Sequence, residues 1–320
     1  MNKYVFIAVF SFSVMLACTS CGDKEDEDTI ESPFIQGLTL NNYPKSDGST
    51  STAPLNTIIA CIILGIDYKW IWTNNTRVVE PGLRKKDSEK FWRQIKSSQT
   101  HQSFINLINK EADIILSARR MSPDEKAHAD AAGVSLIETP VALDAFIFIV
   151  HRENWIYSLT IKQVQDIYTG KITNWREVDG NNMKINPYVR NANSGSQELM
   201  ETLVMKDLEI IEFPQNSFEL MHSMAGALDS VSDDINSICY TLYYYLENIA
   251  TSTWNIQVVA INEIRPNWGT IGNRTYPYVA EIYAVIRSDL DKSSMAYKLY
   301  EWIQTEEGKQ VIDESGYVPY

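Results

Sequence analysis

Long apolar runs are nearly missing from this chain of 320 residues, and the run at its start, Val5–Leu16, is too short to serve as a permanent membrane-spanning helix. Histidine is scarce as well. His101, His128, His151 and His222 fall at unrelated spacings with no Cys/His cluster among them, which argues against a structural or catalytic metal. Beyond Cys18 and Cys21 the only cysteines are Cys61 and Cys239. Both sit in apolar stretches and read as buried thiols, with a disulfide between them left open. Positive charge is in deficit: 28 Lys and Arg face 41 Asp and Glu, a net charge of −13. That balance excludes nucleic acid and acidic membrane surfaces as partners. No G-x-S-x-G elbow precedes a helix and no His lies near the Ser-rich loops in sequence, so a Ser hydrolase or phosphohydrolase ranks low. Nothing calls for a cofactor, and there is no internal repeat.

What is present begins with an export address. Lys3 precedes the apolar run, which ends at Ala17-Cys18-Thr19-Ser20-Cys21, a lipobox-like close with Cys18 or Cys21 as the acylated residue. Residues 1–21 are therefore set apart from the fold, as a signal for an exported, lipid-anchored protein. Residues 22–34 follow as a tether whose acidic run, Asp23–Asp28, is solvated. From residue 36, short apolar strands alternate with amphipathic helices, the pattern of an α/β fold with mainly parallel sheets. Strands are expected at Leu38–Leu40, Trp70–Trp72, Asp113–Leu116, Val134–Glu138, Ala145–Val150, Met183–Val189, Ile238–Leu246, Val258–Ile261 and Ile282–Ile286. Helices are expected from Thr52 or Ala53, at Ser88–Ile95, from Thr100, from Ser122, at Thr160–Tyr168, from Ser194, at Phe218–Leu228 and at Met295–Ile303.

The most informative stretch is Arg190-Asn191-Ala192-Asn193-Ser194-Gly195-Ser196. A strand delivers Arg190, and Ser194 with Gln197 three residues later has the spacing of a capping box, so a helix starts here. A helix N-terminus offers unpaired N–H groups and the positive end of a dipole. Gly195 lets a ligand approach the backbone, Ser194 and Ser196 add hydroxyls, and Arg190 adds a guanidinium fork suited to a tetrahedral oxyanion. The same residues also fit an ordinary Ser cap beside a surface Arg. Three further polar loops, 47–52, 99–101 and 117–120, follow strands or open helices, where ligands bind in such folds.

These residues resemble the phosphate-binding, PstS-like solute-binding proteins of ABC transporters. The likeness rests on Leu159-Thr160 with Ile167–Trp175, on Arg190 with Ser194-Gly195-Ser196, on Asp47–Leu55, on Ala112–Arg119, and on Thr275-Tyr276-Pro277 with Glu307–Pro319. It implies a two-lobed type 2 periplasmic-binding-protein fold, each lobe a mainly parallel sheet flanked by helices. Lobe 1 would take 35–143 and 262–320, and lobe 2 would take 144–261, with the ligand between. It implies oxyanion donors at Ser49, Thr50, Ser51, Thr100, Arg119, Arg190, Ser194, Gly195 and Ser196. Asp113 and Trp175 are read as structural, Asp144 as a hinge residue, and the Tyr240–Tyr245 cluster as packing. The family places a carboxylate in the cleft to take the proton of hydrogen phosphate. Here Arg119 follows the strand-end Ser, leaving Asp47 or Glu198 as the candidate acceptor. The expected role is a monomeric, lipid-anchored receptor that captures phosphate or a related oxyanion, with an ABC permease as possible partner. The acidic tether keeps open a surface sensor or scavenger that feeds no permease.

Overall fold

The computed structural model describes residues 30–73, 76–211, 223–251 and 253–320. The signal and lipidation readings, most of the tether, and the start of the helix expected from Phe218 lie outside the described residues.

The chain opens with β1 (Ser46–Gly48), a polar turn, and α1 (Ala53–Ile63), whose first turn holds Pro54. A separate hairpin follows, β2 (Tyr68–Trp72) and β3 (Arg77–Pro81). Next come α2 (Lys85–Gln94), α3 (Thr100–Ile108), β4 (Ile114–Ser117) and α4 (Pro123–Ala132), the last started by a full Ser122–Glu125 capping box. A long strand, β5 (Leu136–His151), leads to β6 (Ser158–Leu159), α5 (Ile161–Tyr168), a 3₁₀ turn at Trp175–Val178, and β7 (Asn186–Pro187). Then α6 (Gly195–Leu199) runs straight into a π-helical turn, Met200–Met205, ahead of α7 (Met224–Asp233) and β8 (Ser237–Leu242). After a second π-helical turn, Tyr245–Ile249, the chain closes with β9 (Ile256–Ile261), α8 (Trp268–Gly272), β10 (Val279–Arg287), α9 (Met295–Ile303), α10 (Glu306–Glu314) and β11 (Val318–Pro319).

β5 organises the whole. Its first part, up to Ala145, pairs with β10 on one side and with β11 on the other. From Phe146 onward its partners are β8 and β9. One strand therefore serves two half-sheets, and the exchange of partners falls at Asp144–Phe146. In the second half-sheet β7 runs parallel to β8 and β6 parallel to β9, but β8 and β9 both oppose β5, so this half-sheet is mixed and not wholly parallel. The first half-sheet is mixed as well. β1 and β4 are parallel, but β10 opposes both β4 and β5. The cause is the route of the chain: β10 returns from the second half and enters the first sheet at the end where β5 leaves it.

Two strands expected apart, Val134–Glu138 and Ala145–Val150, are the two ends of β5. Pro140 between them lacks an N–H and reads as a breaker. The sheet absorbs it with a bulge: Ala142 pairs with Ile282 and Pro140 with Tyr283, so Val141 has no opposite residue. Residues 141–150 are buried throughout, as befits a strand covered on both faces. Around its far end Phe146, Phe148, Tyr168 and Tyr240 pack ring to ring, with centroids 5.2–6.2 Å apart. Trp175 is fully buried against this core and donates its Nε1–H to Asn236 O at 3.1 Å, a packing role. The expected strand at Leu38–Leu40 reduces to a single bridge between Thr39 and Glu31. Cys61 and Cys239 are buried and free. Among the described residues no helix is long and apolar enough to cross a membrane.

Candidate functional site

A cleft of about 430 Å³ opens where residues from the two half-sheets face each other. Its first wall is the turn between β1 and α1. Gly48 is required there, because a Cβ would stand 2.5 Å from Leu116 O. The turn is tied down by backbone and hydroxyl bonds: Ser49 N donates to Leu116 O (3.0 Å), Ala118 N donates to Ser49 Oγ (2.9 Å), and Thr52 Oγ1 donates to Leu116 O (2.7 Å). Thr52 precedes α1 without a side-chain cap, but Ala53 N donates to Thr50 O and Pro54 has no N–H, so this turn brings Ser49, Thr50 and Ser51 to the cleft and not the N–H groups of the helix. The start of α3 brings Thr100, His101 and Gln102. Gln99 precedes it with φ 71° and ψ 164°, a region that non-glycine residues rarely enter, and it too provides no cap. That conformation swings Thr100 into the cleft, where its hydroxyl meets Ser49 Oγ at 2.9 Å.

The second wall is the stretch from Arg190 to Ser196. The regular strand before it is only β7, shorter than Met183–Val189, and Arg190 is instead fixed by its own N–H, which donates to Tyr240 Oη (2.9 Å) and Gln197 Oε1 (3.1 Å). Ser194 caps α6 by accepting from Gln197 N at 3.1 Å. The Gln197 side chain does not reach back to complete a capping box. It is spent on Arg190, Tyr240 and Glu201. The two walls touch at Gly195, where a Cβ would lie 2.5 Å from Thr100 Oγ1. Behind the wall, burial draws the Arg190 guanidinium below its ordinary pKa, and the group remains a cation at any working pH. Burial pushes the Tyr245 hydroxyl, also in the cleft, up to about 12, against the pull of Arg190. It is thus a neutral hydroxyl.

Of the nine residues expected to bind, the structure brings eight to the cleft: Ser49, Thr50, Ser51, Thr100, Arg190, Ser194, Gly195 and Ser196. Arg119 does not line it; Ala118 does. The Arg119 guanidinium is buried in a two-pronged ion pair with Glu125, Nη1 to Oε2 and Nη2 to Oε1, both 2.8 Å, and lies 5.6 Å over the Phe104 ring. Neither candidate acceptor lines the cleft. Asp47 faces a separate cavity beside Lys45 and Arg93, and accepts from Gly48 N, Ser98 N and Asn106 Nδ2 at 2.7–2.8 Å. Glu198 sits among Arg119, Glu201 and Glu125, its carboxyl raised by burial first. Asp113 supports the fold as expected, accepting from Lys45 N at 2.9 Å. Lining residues outside the expected nine include His101, in the polar loop 99–101, Ser223 and Tyr245. Ser223 was legible only as a cap, which it is, for Gly226 N.

The arrangement is an open cleft of hydroxyls, amides, helix N-termini and one guanidinium, with no Asp or Glu among its described lining residues. Such a pocket in an α/β fold with two half-sheets on a shared strand defines a binding protein of the type 2 periplasmic class. The chain belongs to the PBP superfamily: the model of the PBP superfamily domain matches residues 78–307. It is 26% identical over 216 residues to the phosphate-binding protein PstS of Borreliella burgdorferi, covering 66% of this chain and 74% of that protein. The PstS of Staphylococcus epidermidis is 24% identical over 325 residues, 99% of this chain and 89% of its own. A putative phosphate ABC transporter substrate-binding protein from Clostridium perfringens, solved with bound phosphate, superposes with a TM-score of 0.61 at 20% identity, over 86% of this chain and 98% of that one. An ABC-type phosphate transport receptor from Vibrio cholerae gives a TM-score of 0.59 at 20% identity, over 85% and 98%.

Proposed function

We propose that this chain is a receptor that captures inorganic phosphate, or a closely related tetrahedral oxyanion, in the cleft and delivers it to an ABC-type permease. The observation that carries the reading is the convergence of Arg190, the hydroxyl-bearing turn before α1 and the starts of α3 and α6 on one pocket whose described lining contains no carboxylate. Donors fixed before the ligand arrives recognise an oxyanion without reorganisation, and at hydrogen-bonding distance they outweigh the repulsion of a screened net charge of −13. The relatives bearing the name phosphate-binding protein support the same ligand.

In this reading lobe 1 is 35–143 with 262–320, lobe 2 is 144–261, and they hinge at Asp144 on β5 and again where the chain returns after β9. Cys18 or Cys21 carries the lipid that holds the exported protein, a monomer, at the membrane. The protein acts as a binder, not as an enzyme. The cleft hydroxyls of Ser49 and Ser194 are engaged by Thr100 and Ala118 N and by Gln197 N, while His101 turns Nδ1 to Glu125, so the pattern of nucleophile beside base is not assembled. A ligand that binds only the folded state raises its stability, by about 2.7 kcal/mol at a hundred times Kd. The expected result is a phosphate-dependent rise in thermal midpoint; an unmoved midpoint at millimolar phosphate defeats the reading.

A further inference from the structure

A pocket of hydroxyls, amides and backbone N–H groups around one guanidinium can hold any tetrahedral oxyanion. Monohydrogen phosphate differs from sulfate in bringing one P–O–H that must itself donate. If it meets no acceptor, a buried donor stays unpaired, which lowers affinity roughly 5- to 100-fold. The described cleft lining offers no carboxylate for this task, since Asp47 and Glu198 lie elsewhere. It does contain His101.

His101 follows Thr100 in the first turn of α3 and lines the cleft. Its Nδ1 lies 3.0 Å from Glu125 Oε1. Glu125 is fully buried, and its other partners all donate: Arg119 through both Nη atoms and Ser122 through its N–H, each at 2.8 Å. The carboxylate is therefore an acceptor, and a neutral imidazole facing it carries its hydrogen on Nδ1. Nε2 is left with its lone pair. The cation on this pair is Arg119, from the loop before α4.

We propose that His101 is the residue that sets specificity in the cleft: Nε2, kept as an acceptor by the Nδ1–Glu125 bond, takes the proton-bearing oxygen of monohydrogen phosphate and gives nothing to sulfate. Arg119 then acts at one remove, through Glu125, as a positioning residue. The assignment rests on the oxyanion reading of the cleft given above. It also supplies, from a different residue type, the acceptor that Arg119 had displaced from the strand end.

The test is titration of the purified protein with phosphate and with sulfate at about pH 8, beside His101→Ala and Arg190→Ala. The parent should prefer phosphate by roughly 5- to 100-fold, and His101→Ala should pull that ratio toward one by weakening phosphate while sparing sulfate. A parent that binds both anions equally, or a variant that keeps the parent ratio, overturns the assignment. A parent silent toward both anions, or an Arg190→Ala protein that binds as the parent does, instead defeats the oxyanion reading itself.

Discussion

The two walls of the cleft are built from the same parts, a strand end, a polar turn and a helix start, yet they use charge in opposite ways. On the first wall every buried charge faces protein. Asp47 gathers the N–H groups of Gly48 and Ser98 and the amide of Asn106, and Arg119 closes on Glu125. What that wall shows the cleft is hydroxyls, the amides of Gln99 and Gln102, backbone and one imidazole. On the second wall the buried charge is Arg190, and it lines the cleft. The difference teaches that an Arg at the end of a strand is not a ligand by position. It becomes structural when the next helix brings a carboxylate into its fork, as α4 does with Glu125.

The largest effect should come from breaking the structural side of this contrast. Glu125→Ala leaves the Arg119 cation buried without its carboxylate, which should lower folding stability by about 3–5 kcal/mol, read from denaturant midpoints. A loss below 1 kcal/mol would mean that the pair is not what holds the first wall. A further buried carboxylate, Asp144, sharpens the point because its bonds are to backbone N–H groups alone. Asp144 Oδ1 accepts from Ala145 N (2.7 Å) and Tyr244 N (2.9 Å), Oδ2 has no hydrogen-bond partner, and burial pushes the carboxyl up to about 7 despite those two bonds. Raised above its unfolded value, this group binds a proton in the folded state that the unfolded chain has lost. Its contribution is most favourable below about pH 4 and declines, by a few kcal/mol, as pH rises to about 7. Asp144→Asn should remove that decline and stand above the parent in thermal midpoint at about pH 8. A parallel pH profile for the two proteins would refute it.

The smallest effect tests the meeting of the walls. Gly195→Ala places a methyl against Thr100 Oγ1 and should weaken phosphate binding roughly tenfold while leaving folding stability nearly unchanged. An affinity equal to that of the parent would show that the two walls need not approach so closely for binding.

Much of the cleft was legible in the chain because helix starts announce themselves. Ser122-Pro123, Thr160 and Ser194 are caps where the sequence places them, and Ser49–Ser51, Thr100 and Ser194–Ser196 reach the cleft because the loops that carry them open helices. What stayed hidden depends on partners distant in space or on local exceptions. Arg119 and Arg190 look alike in sequence, and only packing of α4 against α3 assigns the first to Glu125. Pro140 disguised the continuity of β5, because the bulge at Val141 that absorbs it is defined only by the register with β10. The π-helical turn after α6 lets the helix from Ser194 run on to Met205 without regular spacing. His101 follows Thr100 directly, but its meaning lies in Glu125, 24 residues away.

The most direct test of the account is isothermal titration with phosphate of the parent protein and Arg190→Ala side by side. The contrast between the walls predicts saturable binding by the parent and a loss on the order of a hundredfold or more in the variant, with an unchanged fold. Equal binding by both proteins would contradict it, because the second wall would then hold no ligand through its cation.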